Sequence, residues 1–167
     1  ITAFAGIAYP EKFFNSFKLL KANIVDKISY SDHHTYNEND LLYLAEIANK
    51  WFGLDNCNTF DCFAGDSVFG YVSDALGNTF TGIELRQEQT DLNNQRLKGS
   101  KSKYICDDGQ NVLKHIKPNT QDLLFSCPPY FDLEVYSDLK NDASNQKEYK
   151  SFLKILDNAF TRALTCL

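Results

Sequence analysis

From Thr59 onward, short apolar runs alternate with segments of helical period, and the alternation repeats four times through Leu164. The runs Thr59–Phe63, Thr79–Leu85, Tyr104–Cys106 and Leu123–Ser126 predict strands; about Ser67–Leu76, Gln87–Leu97, Gln110–Ile116 and Gln146–Leu164 predict helices. Gly65, Gly77, Gly99 and Gly109 punctuate the pattern where the chain must turn. Strands separated by helices cannot pair as hairpins, so each connection is a crossover and the sheet is mostly parallel with helices on both faces. The expectation is an α/β, three-layer, Rossmann-like fold whose ligand site lies beyond the carboxyl ends of its strands.

The first fifty residues repeat the theme on a smaller scale. Ile1–Ile7 and Asn23–Tyr30 read as strands, and Pro10 opens a helix from Glu11 to about Lys21 with Phe13, Phe14, Phe17 and Leu20 on one face. Asn37 or Asn39 can cap a further helix through Leu41, Leu42, Leu44, Ile47 and Ala48. This is a βαβα unit, and it is expected to add two strands to the main sheet, whose four strands alone leave an open edge able to associate. The seam falls at Asn49–Asn58, dividing the chain into residues 1–50 and 51–167.

Composition narrows the class. Hydrophobic residues are 43% and charged residues 23%, values ordinary for a folded soluble chain. The 22 acidic against 17 basic residues leave a net charge of −5, which excludes a surface that binds nucleic acid all over by neutralising phosphates. No membrane span or signal peptide is evident, so a cytoplasmic location is expected. The five cysteines are scattered without C-x-x-C spacing, as reduced thiols rather than a disulfide frame or zinc site. The lack of any Met hints at an excerpt of a longer chain.

Candidate site residues cluster after the strands of the second series. Asp61 ends the first strand, and Gly65 in the following turn lets backbone approach a ligand. Nineteen residues beyond Gly65, Glu84 ends the second strand, where a carboxylate is placed to take two ribose hydroxyls. Asp107 and Asp108 follow the third strand as acceptors for an adenine amino group. After the fourth comes Ser126-Cys127-Pro128-Pro129-Tyr130, a stiff loop with carbonyls free of a competing N–H and one aromatic face.

In this order, Asp61–Gly70, Gly82–Glu84, Asp108 and Cys127–Tyr130 resemble the S-adenosylmethionine-dependent DNA methyltransferases that modify exocyclic amino groups of adenine or cytosine. The family pattern is Asp-Pro-Phe-x-Gly-x-Gly and Asp/Asn/Ser-Pro-Pro-Tyr/Phe; here Cys62 stands for the proline, Ser67 for the second glycine and Cys127 for the polar residue. The resemblance implies S-adenosylmethionine held by Asp61, Phe63, Gly65, Glu84 and Asp108. It implies a base flipped out of DNA, stacked on Tyr130, its amine held by Cys127 and the Pro128 carbonyl in the loop that Pro129 stiffens. A neutral thiol is a poor acceptor, so three readings of Cys127 stay open: a tolerated variant, an impaired enzyme, or a thiolate attacking cytosine carbon; for the chain as a whole the alternative is an inactive remnant that binds cofactor only. The target-recognition region follows the catalytic loop in that family and is missing from this sequence.

Ala3 to about Leu44, with Ala-Phe-Ala-Gly-Ile-Ala-x-Pro-x-x-Phe-Phe and Ser-Asp-His-His-x-Tyr, resembles the C-terminal part of tetraacyldisaccharide 4′-kinase. There an Asp-His-His element, here Asp32, His33 and His34, helps position the catalytic acid. The Gly-x-x-x-x-Gly-Lys-Ser/Thr phosphate loop that such a kinase needs is absent from these residues. Plainer roles compete for several positions. Asp32-His33-His34 suits a polar turn and lacks a nearby third metal ligand, so no metal is expected. Arg96, Lys98, Lys101 and Lys103 suit a solvated helix end, His115 a helix surface, and Glu134 with Tyr136 either a loop staple or the substrate side.

Overall fold

The computed structural model describes residues 2–5, 11, 26–29, 43, 56–66, 68–131 and 135–167. The chain divides into two units, Ile1–Asp40 and Leu41–Leu167. In the first, strands β1 (Thr2–Ala5) and β2 (Asp26–Ser29) run parallel in register from Thr2 opposite Asp26 to Ala5 opposite Ser29. The expected helix faces of Phe13, Phe14 and Phe17, and the Asp32-His33-His34 turn, lie outside the described residues.

The second unit contains β3 (Asn58–Asp61), β4 (Thr79–Glu84), β5 (Lys103–Cys106) and β6 (Leu123–Leu124), with helices α1 (Phe69–Ala75), α2 (Gln87–Arg96) and α3 (Tyr149–Leu164). The sheet order is β5-β4-β3-β6, all parallel. The expectation that the first fifty residues extend this sheet is corrected: β1 and β2 form a separate two-stranded sheet. All four residues of each strand pair with the other, the local closure that a crossover between neighbouring parallel strands favours.

Alternation along the strands sends side chains to two cores and so builds three layers. Phe60, Cys62 and Ile83 pack with Val112, Ile116, Ala159 and Ala163 on the α3 side. Phe80, Tyr104 and Leu97 pack with Ala64, Phe69 and Tyr71 on the α1 and α2 side. Cys62 sits in the core, where burial pushes its thiol up to about 12 and Asp61 reinforces the shift. It fills space as a small neutral residue where the family pattern has proline.

Three elements differ from the sequence reading for local reasons. Gly109–Lys114 is a 3-10 helix rather than an α-helix: the Asp108 side chain caps it through the Gln110 N–H, and Asn111 bonds back three residues to the Asp108 carbonyl. The last helix begins at Tyr149, not Gln146, because the Gln146 side chain is tied to the carbonyls of Lys140 and Asp142. Strand β6 stops at Leu124, two residues early, although the Phe125 N–H still reaches the Phe60 carbonyl at 3.1 Å.

At Gly109 the loop after β5 packs against the turn after β3: a Cβ there would collide with the Cys62 carbonyl oxygen. Backbone cannot yield as a flexible side chain does, so Gly109→Ala is expected to destabilise the second unit by roughly 1–3 kcal/mol, read as a lower denaturant midpoint at unchanged slope.

Candidate functional site

The site forms where the sheet order reverses. Strand β3 continues to β4 and β5 on one side and meets β6 on the other, and loops leaving β3 and β6 diverge around a crevice at this switch. A cavity of about 310 Å³ opens there, at the low end of ligand-site volumes. Asp61, Phe63, Gly65, Glu84, Asp108, Cys127, Pro128, Pro129 and Tyr130 all line it. Asp107 does not: its carboxylate turns away to Asn111, His115 and the Asp108 N–H. Burial opposes ionisation there, but the Asn111 and His115 hydrogen bonds, the Asp108 N–H and nearby Lys114 outweigh it and hold Asp107 down to about 2.

Asp61, Glu84 and Asp108, three of the acids lining the cavity, accept backbone N–H groups. Asp61 Oδ1 accepts the Phe63 N–H at 2.8 Å and the Ser126 hydroxyl at 2.6 Å. Its Oδ2 has no hydrogen-bond partner among the described residues, although Asp61 is only 2% exposed. Burial pushes its pKa up to about 7; the Ser126 and Phe63 bonds oppose the rise, and Glu84 adds to it. Glu84 Oε2 accepts the Gly65 N–H at 2.8 Å, while Oε1 accepts the Arg86 N–H at 2.9 Å and its Nε at 3.3 Å. Gly65 adopts φ +50°, and nothing lies within 4 Å of where its Cβ would be, so the turn leaves room against the cavity. Asp108 Oδ1 caps the Gln110 N–H, and Oδ2 accepts from Asn141 at 2.9 Å and Gln110 at 3.2 Å.

The far side is softer. Tyr130 presents an aromatic face that is 51% exposed, and Phe125, stacked on Phe69 at 4.3 Å, backs the loop. Cys127 keeps an exposed edge, yet the surrounding protein raises its pKa and Asp61 adds to this, against a lowering by the Tyr130 hydroxyl. The thiol is therefore neutral at physiological pH, which disfavours the thiolate reading. Tyr136 also lines the cavity; Ser67 and Glu134 lie outside the described residues.

Four contributors escaped sequence reading. Asn93, fully buried in α2, donates to the Gly65 carbonyl at 2.8 Å and so fixes the glycine turn from the side opposite Glu84. Arg86, Asn141 and Asp142 line the cavity from loops whose sequence carries no motif. Only a polar residue on the buried face of a predicted helix, as Asn93 is, offered a signal.

Comparison with known proteins divides along the chain. A family model described as tetraacyldisaccharide-1-P 4′-kinase matches residues 1–51. The tetraacyldisaccharide 4′-kinase of Hyphomonas neptunium is 39% identical over 49 residues, 29% of this chain and 15% of that protein. That of Syntrophus aciditrophicus is 42% identical over 50 residues, 30% of this chain and 13% of that protein. The chain thus spans about 15% of the length of these kinases. Among solved structures, a SAM-dependent methyltransferase from Agrobacterium tumefaciens is similar with TM-score 0.48 and 15% identity, over 57% of this chain and 33% of that one. An rRNA methylase from Streptococcus thermophilus is similar with TM-score 0.43 and 15% identity, over 74% and 60%. The kinase resemblance read from the first fifty residues is thus met. Among the described residues no helix is long and apolar enough to cross a membrane.

The raised pKa of Asp61 has a sign that can be measured. Between the ordinary value of 3.8 and about 7, the folded chain holds a proton that the unfolded chain has released. This contribution to stability is fully present below 3.8 and is lost as pH rises through 7, a difference of up to about 4 kcal/mol. Asp61→Asn, which cannot ionise, is expected to be more stable than the parent at pH 8 and to lose that advantage towards pH 4; denaturation curves across this window check it.

Proposed function

We propose that the second unit binds S-adenosylmethionine and transfers its methyl group to an exocyclic amino group of adenine or cytosine in DNA. The observation that supports this reading is convergence: residues singled out after four separate strands line one cavity at the switch point. The chemistry of the cavity fits the cofactor. Asp61, Glu84 and Asp108 supply carboxyl groups, against Arg86 among its walls, while Ile83, Leu85 and Ile155 are apolar. A buried carboxyl oxygen without a partner among the described residues calls for a cationic or hydrogen-donating group, and a nucleoside bearing a sulfonium and an ammonium supplies both.

When bound, the cofactor supplies an electrophilic methyl group on a positively charged sulfur. This chain's residues do the rest. Glu84 accepts ribose hydroxyls, Asp108 accepts an amino group of the purine ring, and Asp61 faces positive charge. Tyr130 would stack on a base turned out of the duplex, and the Pro128 carbonyl would accept a hydrogen bond from the amine, orienting the nitrogen lone pair. Cys127, neutral and a weak acceptor, adds little, so turnover is slow relative to a chain with a carboxylate there. The acid-rich cavity takes the neutral base; it does not take the phosphates.

Residues 1–51 are similar to the kinase but carry no phosphate loop, and kinase activity would need that loop from elsewhere.

Calorimetric titration with S-adenosylmethionine tests the proposal. Glu84→Ala is expected to weaken binding about tenfold or more, and unchanged affinity would sink the cofactor reading. Near pH 6 the parent is expected to release about one proton on binding, seen as a dependence of the heat on buffer ionisation; Asp61→Asn releases none. Cys127→Asp restores a carboxylate acceptor and is expected to raise methyl transfer to DNA about tenfold, measured with labelled cofactor. A fall in that rate would remove Cys127 from the amine subsite.

A further inference from the structure

The backbone ladder between β3 and β6 is the shortest in the sheet, and it ends just before the loop that bears Cys127 to Tyr130. Only Thr59–Leu123 and Phe60–Leu124 pair, followed by the Phe125 N–H to Phe60 carbonyl bond. Past that bond, among the described residues, no backbone bond joins the two segments. A side-chain bond replaces it: the Ser126 hydroxyl donates to Asp61 Oδ1 at 2.6 Å across 65 residues of sequence. The same Oδ1 accepts the Phe63 N–H at the start of the glycine turn. One oxygen therefore ties the first residue of the Ser126–Tyr130 loop to the turn that holds Gly65.

We infer that Ser126 is a positioning residue, setting the Cys127–Tyr130 loop at a fixed distance from the cofactor turn through its bond to Asp61. The role rests on the methyl-transfer reading for its purpose, but not for its geometry. In-line transfer requires the amine loop and the cofactor loop to keep register within a fraction of an ångström. Two loops leaving different strands hold that register only if something joins them beyond the last ladder bond. Phe125, stacked on Phe69, holds a ring behind the loop. The Ser126 hydroxyl adds a bond from the loop's own first residue to Asp61 at the end of β3. Because it donates to Asp61, its loss also removes a contact that favours the carboxylate, and Glu84 at the end of β4 acts in the same direction; of the other titratable groups near Asp61, Tyr104 on β5, Cys127 in the loop and neighbouring Cys62 are themselves pushed up by its charge.

The experiment compares the full chain with Ser126→Ala and Ser126→Thr, the second keeping the hydroxyl. Cys127 is exposed and reports the loop directly, with exposed Cys106 as internal control. Alkylation by iodoacetamide, followed peptide by peptide in folded protein, is expected to be at least about fivefold faster at Cys127 in Ser126→Ala. It stays within about twofold of the parent in Ser126→Thr, and Cys106 does not change in either. In parallel, Ser126→Ala should bind S-adenosylmethionine within about threefold of the parent yet lose about tenfold or more in methyl transfer, with the acid limb of its pH profile moved upward. Unchanged Cys127 alkylation in Ser126→Ala overturns the inference, as does a Ser126→Thr chain that behaves like Ser126→Ala. Equal acceleration at Cys106 and Cys127 reports general loosening and also overturns it. A parent chain that transfers no methyl group, with the Cys127 effect intact, sinks the proposed activity and leaves the positioning bond standing.

Discussion

Strand β3 is bonded on both edges, to β4 and to β6, and the second unit is organised by that double pairing. A strand held on both sides cannot slide without breaking two registers, so its carboxyl end is a fixed point. The Ala64 N–H extends the tie to the Ile83 carbonyl at 2.9 Å, and the Asp107 N–H to Glu84 carbonyl bond does the same between β4 and β5. Loops that leave these ends start from known positions. Gly65 is then held by Glu84 through its N–H and by Asn93 through its carbonyl, so the turn has a set shape before any ligand arrives. Pre-set loops spare a ligand the ordering cost that a mobile site would impose.

The same fixed point concentrates charge in an unfavourable way. Asp61 and Glu84 are each under a tenth exposed, and Glu84 adds to the cost of ionising Asp61. Glu84 is compensated by two N–H donors and the Arg86 guanidinium. Among the described residues Asp61 has one N–H and one hydroxyl, both on a single oxygen, which is too little to keep it charged in a buried place. A core that merely needed to be stable would have an apolar residue at position 61. The disfavoured carboxyl is the kind of perturbed group found where ligands bind, because a positive group entering the cavity relieves it.

The parallel order and the cavity's principal acids were legible because both follow from strand-end chemistry, which the period of the sequence exposes. Gly65, Glu84 and Asp108 are found by counting from one strand end to the next. What was illegible depends on contacts between distant elements. Asn93 reads as one more polar residue in a helix until the fold brings the Gly65 carbonyl to it. Asn141 meets Asp108 across 33 residues, and nothing local to either announces the other. The start of α3 was misplaced because Gln146 has a helical neighbourhood in sequence but spends its side chain on loop carbonyls. The wrong prediction for β1 and β2 has a different cause: hydrophobic pattern shows that strands pair, and it does not show with which sheet.

The loop from Ser126 to Tyr130 carries the departure with the largest chemical consequence. Two successive prolines remove two backbone donors, so carbonyls at this loop are not drawn into local bonds and stay open to an amine. With a carboxylate or amide at position 127, two acceptors would flank that amine and both of its protons would be held. With a neutral thiol, one strong acceptor remains and the second proton is left with a weak one. On the proposed methyl-transfer reading, the nitrogen would then be less firmly oriented, and its lone-pair density would point at the transferred methyl group for less of the time. The cost would fall on the transfer step, where the amine's orientation matters, while Asp61, Glu84 and Asp108 across the cavity are unchanged. Selection by this loop would then be a matter of geometry more than of charge, which would make the distance between it and the glycine turn the quantity on which turnover depends.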